Sequence, residues 1–393
     1  MGLFFTSCTS MQIGIDGNEA NVTNRVGSNV YAYEVLRQLH KEIGQRDDVS
    51  VKVYLKEPWK TLLPEPHQTW KYSVFGPKQL WTQWRLPLSL YAEKAILKNA
   101  PSVFFSPGHY APRLCPVPSV ITIMDLAFLK FPQEFRKKDL RQLSAWTKYS
   151  VANASHILTI SKATKKDVCE FYGVNENRVT VTYPSASIAA VKTEKDNSFR
   201  HFCAYYGITQ PFLLYVGTLQ PRKNITRLIE AFSTLKSRSR FKEVKLVIVG
   251  KKGWIYESMF AKMKELGLKN EVVFTGFVSE WEKVELLKHA SAFVLPSLYE
   301  GFGIPVLEAM LAGTPVLVSR VSSLPEVGGD AVSYIEDPKS VDEIERKLAE
   351  VLQLTENKRL DMIARQREQA QKFSWEKCGK KTLEALLNVK RKK

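Results

Sequence analysis

Two glutamates eight residues apart frame the most chemically loaded stretch of this 393-residue chain, Ser297-Leu298-Tyr299-Glu300-Gly301-Phe302-Gly303-Ile304-Pro305-Val306-Leu307-Glu308-Ala309-Met310. Gly301 and Gly303 lack Cβ, so the backbone between the carboxylates can adopt strained angles and approach a ligand closely. Pro305 suits the first position of a helix, where its missing N–H costs nothing. Val306 to Leu311 then read as helix, closed by a left-handed cap at Gly313. A helix begun there aims the N–H groups of Gly303, Ile304 and Val306 at its mouth. The macrodipole adds about half a positive charge, and anions bind at such an end. Glu300 lies just before the turn and Glu308 one turn inside, so the two should flank the anion without touching each other. A diphosphate with hydroxyl-rich groups at both ends fits this arrangement, and that describes a nucleotide sugar. A glutamate on a helix is by itself most often solvated, so the rest of the chain must decide.

Three other loops follow strand-like runs. Gly217-Thr218-Leu219-Gln220-Pro221-Arg222-Lys223-Asn224 puts two cations before a helix that Asn224 could cap. Arg222 and Lys223 are suited to neutralising a diphosphate leaving group. Gly276-Phe277-Val278 could lay its backbone against a nucleotide base. Ser106-Pro107-Gly108-His109 delivers a histidine, a residue type that is more often a satisfied polar group than a catalyst.

Positioning these loops requires alternating strands and helices. In the second half, apolar runs at Phe212–Val216, Leu246–Val249, Val272–Thr275, Ala292–Leu295, Val316–Ser319 and Val332–Ile335 predict strands. Ile225, Leu228, Ile229, Phe232 and Leu235 fall on one face of an intervening helix. Short, nearly unbroken apolar strands separated by helices imply a parallel sheet covered on both faces. The first half reads the same way, with strands at Ile13–Asp16, Val51–Leu55, Val103–Ser106, Val120–Met124, Ile157–Ile160 and Val179–Thr182. A helix follows Gly27-Ser28-Asn29, its turns marked by Tyr31, Val35 and Leu39. The fold class is therefore α/β, with two Rossmann-like, doubly wound domains. Ligands of such sheets bind outside the carboxyl ends of the strands, so the domains should face each other across a cleft. Residues 186–210 are polar and weakly periodic and suit a crossover, which sets the expected domains at 1–187 and 188–372.

Composition narrows the function. The hydrophobic fraction of 44% is that of a globular protein, and no apolar run reaches the 18 residues a membrane span needs. Cys8, Cys115, Cys169, Cys203 and Cys378 show neither disulfide nor metal spacing, which fits a reducing cytoplasm and predicts no metal site. Residues 1–10 resemble no signal peptide and are expected to be structurally idle. The formal net charge of +17 favours phosphate-bearing partners. Nucleic acid is disfavoured, because zinc-finger spacing, RNP motifs and interleaved aromatic–basic repeats are all missing. Lys130, Arg136, Lys137, Lys138 and Arg141, beside Phe131 and Phe135, predict a peripheral contact with anionic membrane at its inner surface. A solvated helix face would explain that run nearly as well.

A resemblance now enters. Tyr299 to Met310, continuing through Ala312-Gly313-Thr314-Pro315-Val316, is similar to the signature of glycosyltransferase family 4. So are Tyr215 to Asn224 and Ser322-Ser323-Leu324-Pro325-Glu326-Val327-Gly328-Gly329. The resemblance implies a retaining enzyme of GT-B fold. It assigns Glu308 to the donor ribose and Glu300 to the hydroxyls of the transferred sugar. It gives Gly303 and Ile304, within the Gly301-Phe302-Gly303-Ile304 turn, to the diphosphate, with Arg222 and Lys223 beside it and Gly217 and Thr218 at the head of their loop. Gly27 falls in the first domain's glycine loop, and Asp125 follows the position where many relatives carry His. Phe373-Ser374-Trp375-Glu376 resembles the start of the family's last helix, so 373–393 should pack back on the first domain. Met124 replaces that common His, with His109 as a stand-in; Asn29 replaces a second loop glycine, and Thr218 a diphosphate-binding Arg.

The expectation is a cytoplasmic hexosyltransferase, with mannose first among sugars, using a GDP or UDP donor and a glycan or lipid-linked acceptor, and needing neither divalent metal nor cofactor. The alternatives are a nucleotide-sugar hydrolase or epimerase of the same fold and a non-catalytic nucleotide-sugar-binding protein.

Overall fold

Apolar runs of three to seven residues become the strands of two sheets in which every strand pairing is parallel. The computed structural model describes residues 11–59, 62–186, 188 and 196–391. Residues 1–10, most of the expected crossover before 196 and the last two lysines of the basic tail lie outside that set.

The chain divides into two compact units. The first holds β1 (Met11–Asp16), β2 (Val49–Leu55), β3 (Trp70–Val74), β4 (Val103–Ser106), β5 (Ser119–Ile123), β6 (His156–Thr159) and β7 (Val179–Val181), in the order β3-β2-β1-β4-β5-β6-β7. The second holds β8 (Phe212–Val216), β9 (Lys245–Val249), β10 (Val272–Gly276), β11 (Ala292–Leu295), β12 (Val316–Ser319) and β13 (Ser333–Ile335), in the order β10-β9-β8-β11-β12-β13. In each sheet the chain starts in the middle, winds to one edge, then restarts beside its first strand and winds the other way. That reversal leaves a crevice at the carboxyl ends of the two central strands.

Strands β4, β5, β8, β11 and β12 are buried along their whole length, because helices cover both faces. Each fully buried Leu, Ile or Phe contributes roughly 2 kcal/mol through the hydrophobic effect. Strand β3 was not expected from the sequence. It is an edge strand in which only Trp70 is buried, so Trp70-Lys71-Tyr72-Ser73-Val74 carries almost no apolar signal.

Unit membership departs from the sequence-based boundaries in one place. Ala127–Leu140, assigned to the first domain from its position in the chain, belongs to the second unit together with Ser185–Phe373. Phe131 packs on Tyr299 at 6.1 Å and Phe135 on Trp254 at 5.3 Å. Trp254 Nε1 also donates to the Glu134 carbonyl at 2.6 Å. The aromatic half of the predicted membrane patch is therefore engaged inside the second unit. The first unit takes Ser374 onward: helix Trp375–Arg391 lies along helix Ser28–Ile43, with Trp375 at 6.3 Å from Tyr31.

Candidate active site

The central strands β8 and β11 explain why distant parts of the sequence meet. The loop after β8 carries Arg222 and Lys223, and the loop after β11 carries Glu300. The two loops are stitched by reciprocal hydrogen bonds. Leu298 N–H donates to the Arg222 carbonyl at 2.8 Å, and an Arg222 guanidinium N–H donates to the Tyr299 carbonyl at 2.8 Å. Asn224, at φ 62°, does not cap the following helix as expected. Its side-chain amide instead donates to the Pro296 and Pro338 carbonyls, at 3.0 and 2.5 Å, which pins the β8 loop to the end of β11.

Within this clamp lies a nearly dry ion cluster. Lys223 Nζ reaches both Glu300 carboxylate oxygens, at 2.6 and 2.7 Å, and Arg222 stands 3.6 Å from the second. Ser297 Oγ donates to Glu300 Oε1 at 2.6 Å. Burial alone would push the Glu300 carboxyl up, but Lys223, Arg222 and the hydrogen bond from Ser297 outweigh it and hold the group below the usual carboxylate range. The sequence placed the cations opposite the glycine turn; the structure puts them in direct contact with its first carboxylate. Two cations and one carboxylate leave one net positive charge there, beside the N-terminus of helix Ile304–Ala312.

Gly303 caps that helix at φ 101°, and a Cβ there would come within 2.9 Å of Leu324 Cδ2, so only glycine fits. Pro305 takes the second helical position rather than the first. Val306 N–H, expected to be free, donates to the Gly303 carbonyl at 2.9 Å, so any anion at this end would rely on Gly303 and Ile304. Phe302 contributes only backbone, since its ring is buried against Phe373 at 5.5 Å. Glu308 lies inside the helix and is held by Lys283 at 2.7 Å.

Several participants escaped the sequence reading. Lys283 lies 25 residues before Glu308, and no local pattern connects them. Ser322 Oγ accepts the Glu300 N–H at 2.9 Å, and Ser323 Oγ donates to the Glu300 and Phe302 carbonyls at 3.0 and 3.1 Å. Their motif was visible; their role as the brace of the Glu300 turn was not. Gly250, at φ 151°, lets the loop after β9 cross Gly217 so closely that a Cβ would lie 1.9 Å from the Gly217 carbonyl oxygen. Its N–H donates to the Gly276 carbonyl at 2.9 Å. Gly276 ends β10, two strands away from β8, and Phe277 follows it half exposed. Thr218, just after Gly217, is half-buried.

The first unit gathers its candidates in the same way, around β1, β4 and β5. Gly27, at φ 51°, begins helix Ser28–Ile43, and Asn29 Nδ2 ties that start to Glu19 Oε2 at 2.8 Å. His109 follows β4; burial lowers its pKa against the opposing charge of Asp125, and its Nδ1 is buried without a partner. Asp125 follows Met124, which is itself buried, and the Met124 carbonyl accepts from Thr164 Oγ1 at 3.3 Å. Among the described residues, no group of three His, Cys, Asp or Glu is placed to hold a metal ion.

Sequence comparison decides the family. The profile described as Glycosyltransferase Family 4 matches residues 26–188, and that described as Glycosyl transferases group 1 matches 207–369. The O-antigen chain mannosyltransferase B of Escherichia coli is 31% identical over 283 residues, spanning 72% of this chain and 73% of its own. The chain belongs to glycosyltransferase family 4. Solved structures agree on the fold of this glycosyltransferase. Anabaena Alr3699/HepE in complex with UDP-glucose superposes with a TM-score of 0.70 at 20% identity, over 96% of this chain and 100% of its own. WaaG, a glycosyltransferase involved in lipopolysaccharide biosynthesis, gives 0.68 at 18%, over 96% and 99%. The family 4 enzyme thus has the GT-B fold of two Rossmann-like domains.

Proposed function

We propose that this glycosyltransferase moves a hexose, mannose first, from a GDP or UDP donor to a glycan or lipid-linked acceptor, retaining the anomeric configuration. The observation that carries the reading is the Lys223–Glu300–Arg222 cluster beside the mouth of helix Ile304–Ala312. The sugar class draws support from the Escherichia coli relative named a mannosyltransferase.

In this reading the donor diphosphate sits between the N–H groups of Gly303 and Ile304 and the cations Arg222 and Lys223, with Gly217 and Thr218 at its edge. Lys223 gives part of its contact with Glu300 to phosphate, and the charge on the departing diphosphate is met by fixed donors in a dry site. Glu300 then orients hydroxyls of the transferred sugar and steadies positive charge at its first carbon. Glu308 holds the ribose hydroxyls, with Lys283 keeping the carboxylate in place. Gly276 and Phe277 lie against the base. The carbon–oxygen bond to the diphosphate breaks, the acceptor oxygen bonds to the same face, and the leaving phosphate oxygen takes the acceptor's proton. Arg222 and Lys223 do the work a divalent metal would otherwise do, so neither metal nor cofactor is required.

Thermal-shift titration with GDP, UDP and ADP, followed by transfer assays with their sugars and NMR of the product linkage, tests this. Stabilisation by a nucleoside diphosphate and an α-linked product from an α-donor are expected. Inverted product, or free sugar released as fast without acceptor as with it, would overturn the reading.

A further inference from the structure

Most surface helices bury one apolar stripe and turn polar residues outward. The segment Trp81–Ala95, a π-helical turn running into helix Leu86–Ala95, is apolar on both sides. Inward, Trp81, Leu86 and Leu90 join Tyr54 and Phe104 in a closed cluster. Outward, Leu80, Trp84, Leu88 and Tyr91 stand 61%, 67%, 58% and 47% exposed. Their spacing of four, four and three residues puts them on one face. Beyond the helix end, Ile96 and Leu97 continue the patch at 76% and 61% exposure. An apolar stripe of this length on a surface marks an interaction site.

Charge indicates what covers it. Arg85, Lys94 and Lys98 are all exposed along the same segment, and Lys78 beside them pairs with Glu57 at 2.7 Å. The one carboxylate between Lys78 and Ala100 is Glu93, which is buried and bonded to Lys52 at 2.8 Å and to the Tyr54 hydroxyl at 2.6 Å. The segment therefore joins large apolar and amphipathic side chains to Arg85, Lys94 and Lys98 and carries no exposed acid of its own. A second copy docked on it would set like cations against each other, on a chain already carrying +17.

We propose that Leu80–Leu97 is an interfacial segment that seats the first unit on an anionic lipid surface. Leu80, Trp84, Leu88 and Tyr91 enter the headgroup boundary while Arg85, Lys94 and Lys98 meet lipid phosphates. Trp and Tyr suit this layer because one end of each ring is apolar and the other polar. No helix among the described residues is long and apolar enough to cross a membrane, so the contact is one of lying on the surface. The inference deepens the lipid-linked acceptor reading. Vesicle binding is measured without donor or acceptor, so either can fail alone.

The test is flotation of the full chain with vesicles of phosphatidylglycerol and phosphatidylcholine in equal parts, against phosphatidylcholine alone. Binding to the anionic vesicles, weakening with salt, is expected. Arg85→Gln/Lys98→Gln should lower the partition roughly thirtyfold. Trp84→Ser/Leu88→Ser should abolish it, with melting temperature and nucleotide binding unchanged in both variants. Three results would overturn the proposal: a wild-type chain that stays free of anionic vesicles at low salt, either variant binding as the wild type does, or a wild-type dimer in light scattering that Trp84→Ser/Leu88→Ser dissociates.

Discussion

Replacing Lys223 with alanine removes two contacts of 2.6 and 2.7 Å from a carboxylate that is 6% exposed. Truncating one side of a buried ion pair typically costs 3–5 kcal/mol, because the other charge is stranded. Here Arg222 remains 3.6 Å from Glu300, and Ser297 still donates at 2.6 Å. The loss should therefore lie near the low end, about 3 kcal/mol, or roughly 6–12 °C in melting temperature for a unit of this size. If Lys223 also meets the leaving diphosphate, removing that preorganised donor costs about 3 kcal/mol in the transition state, a fall of roughly 150-fold in kcat. The double variant Lys223→Ala/Glu300→Gln separates the two roles. Glutamine needs no counter-charge, so the double variant should regain about 1–2 kcal/mol of stability over Lys223→Ala. Its activity should not recover. Denaturant unfolding and initial rates of nucleoside-diphosphate release would be measured on the same preparations. A double variant less stable than Lys223→Ala would refute the electrostatic account of the cluster. Turnover by Lys223→Ala within threefold of wild type would remove Lys223 from the chemistry.

Three further outcomes are expected. Glu308→Gln should raise the donor KM roughly tenfold or more and leave kcat within threefold, since it removes binding shared by ground and transition states; steady-state kinetics with varied donor would show it. Gly303→Ala should cost about 1–3 kcal/mol, because φ 101° is strained for alanine and the new Cβ meets Leu324, and calorimetric titration should show weakened nucleotide binding. Burial pushes Asp16 up to about 6, against the hydrogen bonds from Asn18. A raised carboxyl favours the folded state only while protonated, so its penalty is absent below about pH 4, grows through pH 6 and is full above. Asp16→Asn should come close to the wild type near pH 4 and exceed it by about 3 kcal/mol at pH 8 in urea unfolding; a difference that does not vary with pH would contradict this.

The strands were legible wherever burial on both faces leaves an unbroken apolar run, as in Phe212–Val216 or Ala292–Leu295. Strand β3 was not, because its register comes from β2 beside it rather than from its own residues. The Glu300 turn could be read because glycine and proline restrict the backbone locally, down to the left-handed cap at Gly313, while the left-handed start at Gly303 was not specified. The pairing of Lys223 with Glu300 could not, since the residues lie 77 positions apart and meet only through the adjacency of β8 and β11. Lys283 and Gly250 were hidden for the same reason: their meaning depends on which loop crosses which. The contacts of Phe131 and Phe135 with Tyr299 and Trp254 were not legible either, because aromatic residues beside cations look alike whether they face lipid or another ring.

Helix Trp375–Arg391 carries a consequence for the integrity of the first unit. Cys378 Sγ contacts the Thr182 carbonyl, and Gly379 passes helix Ser28–Ile43 so tightly that a Cβ would lie 2.4 Å from Gln38 Cβ. Two helices from distant parts of the sequence thus share one packed face within the first unit. A chain cut just before Ser374 would uncover the apolar flank around Tyr31, while the Glu300 and Lys223 loops, which lie wholly in the second unit, would be left whole.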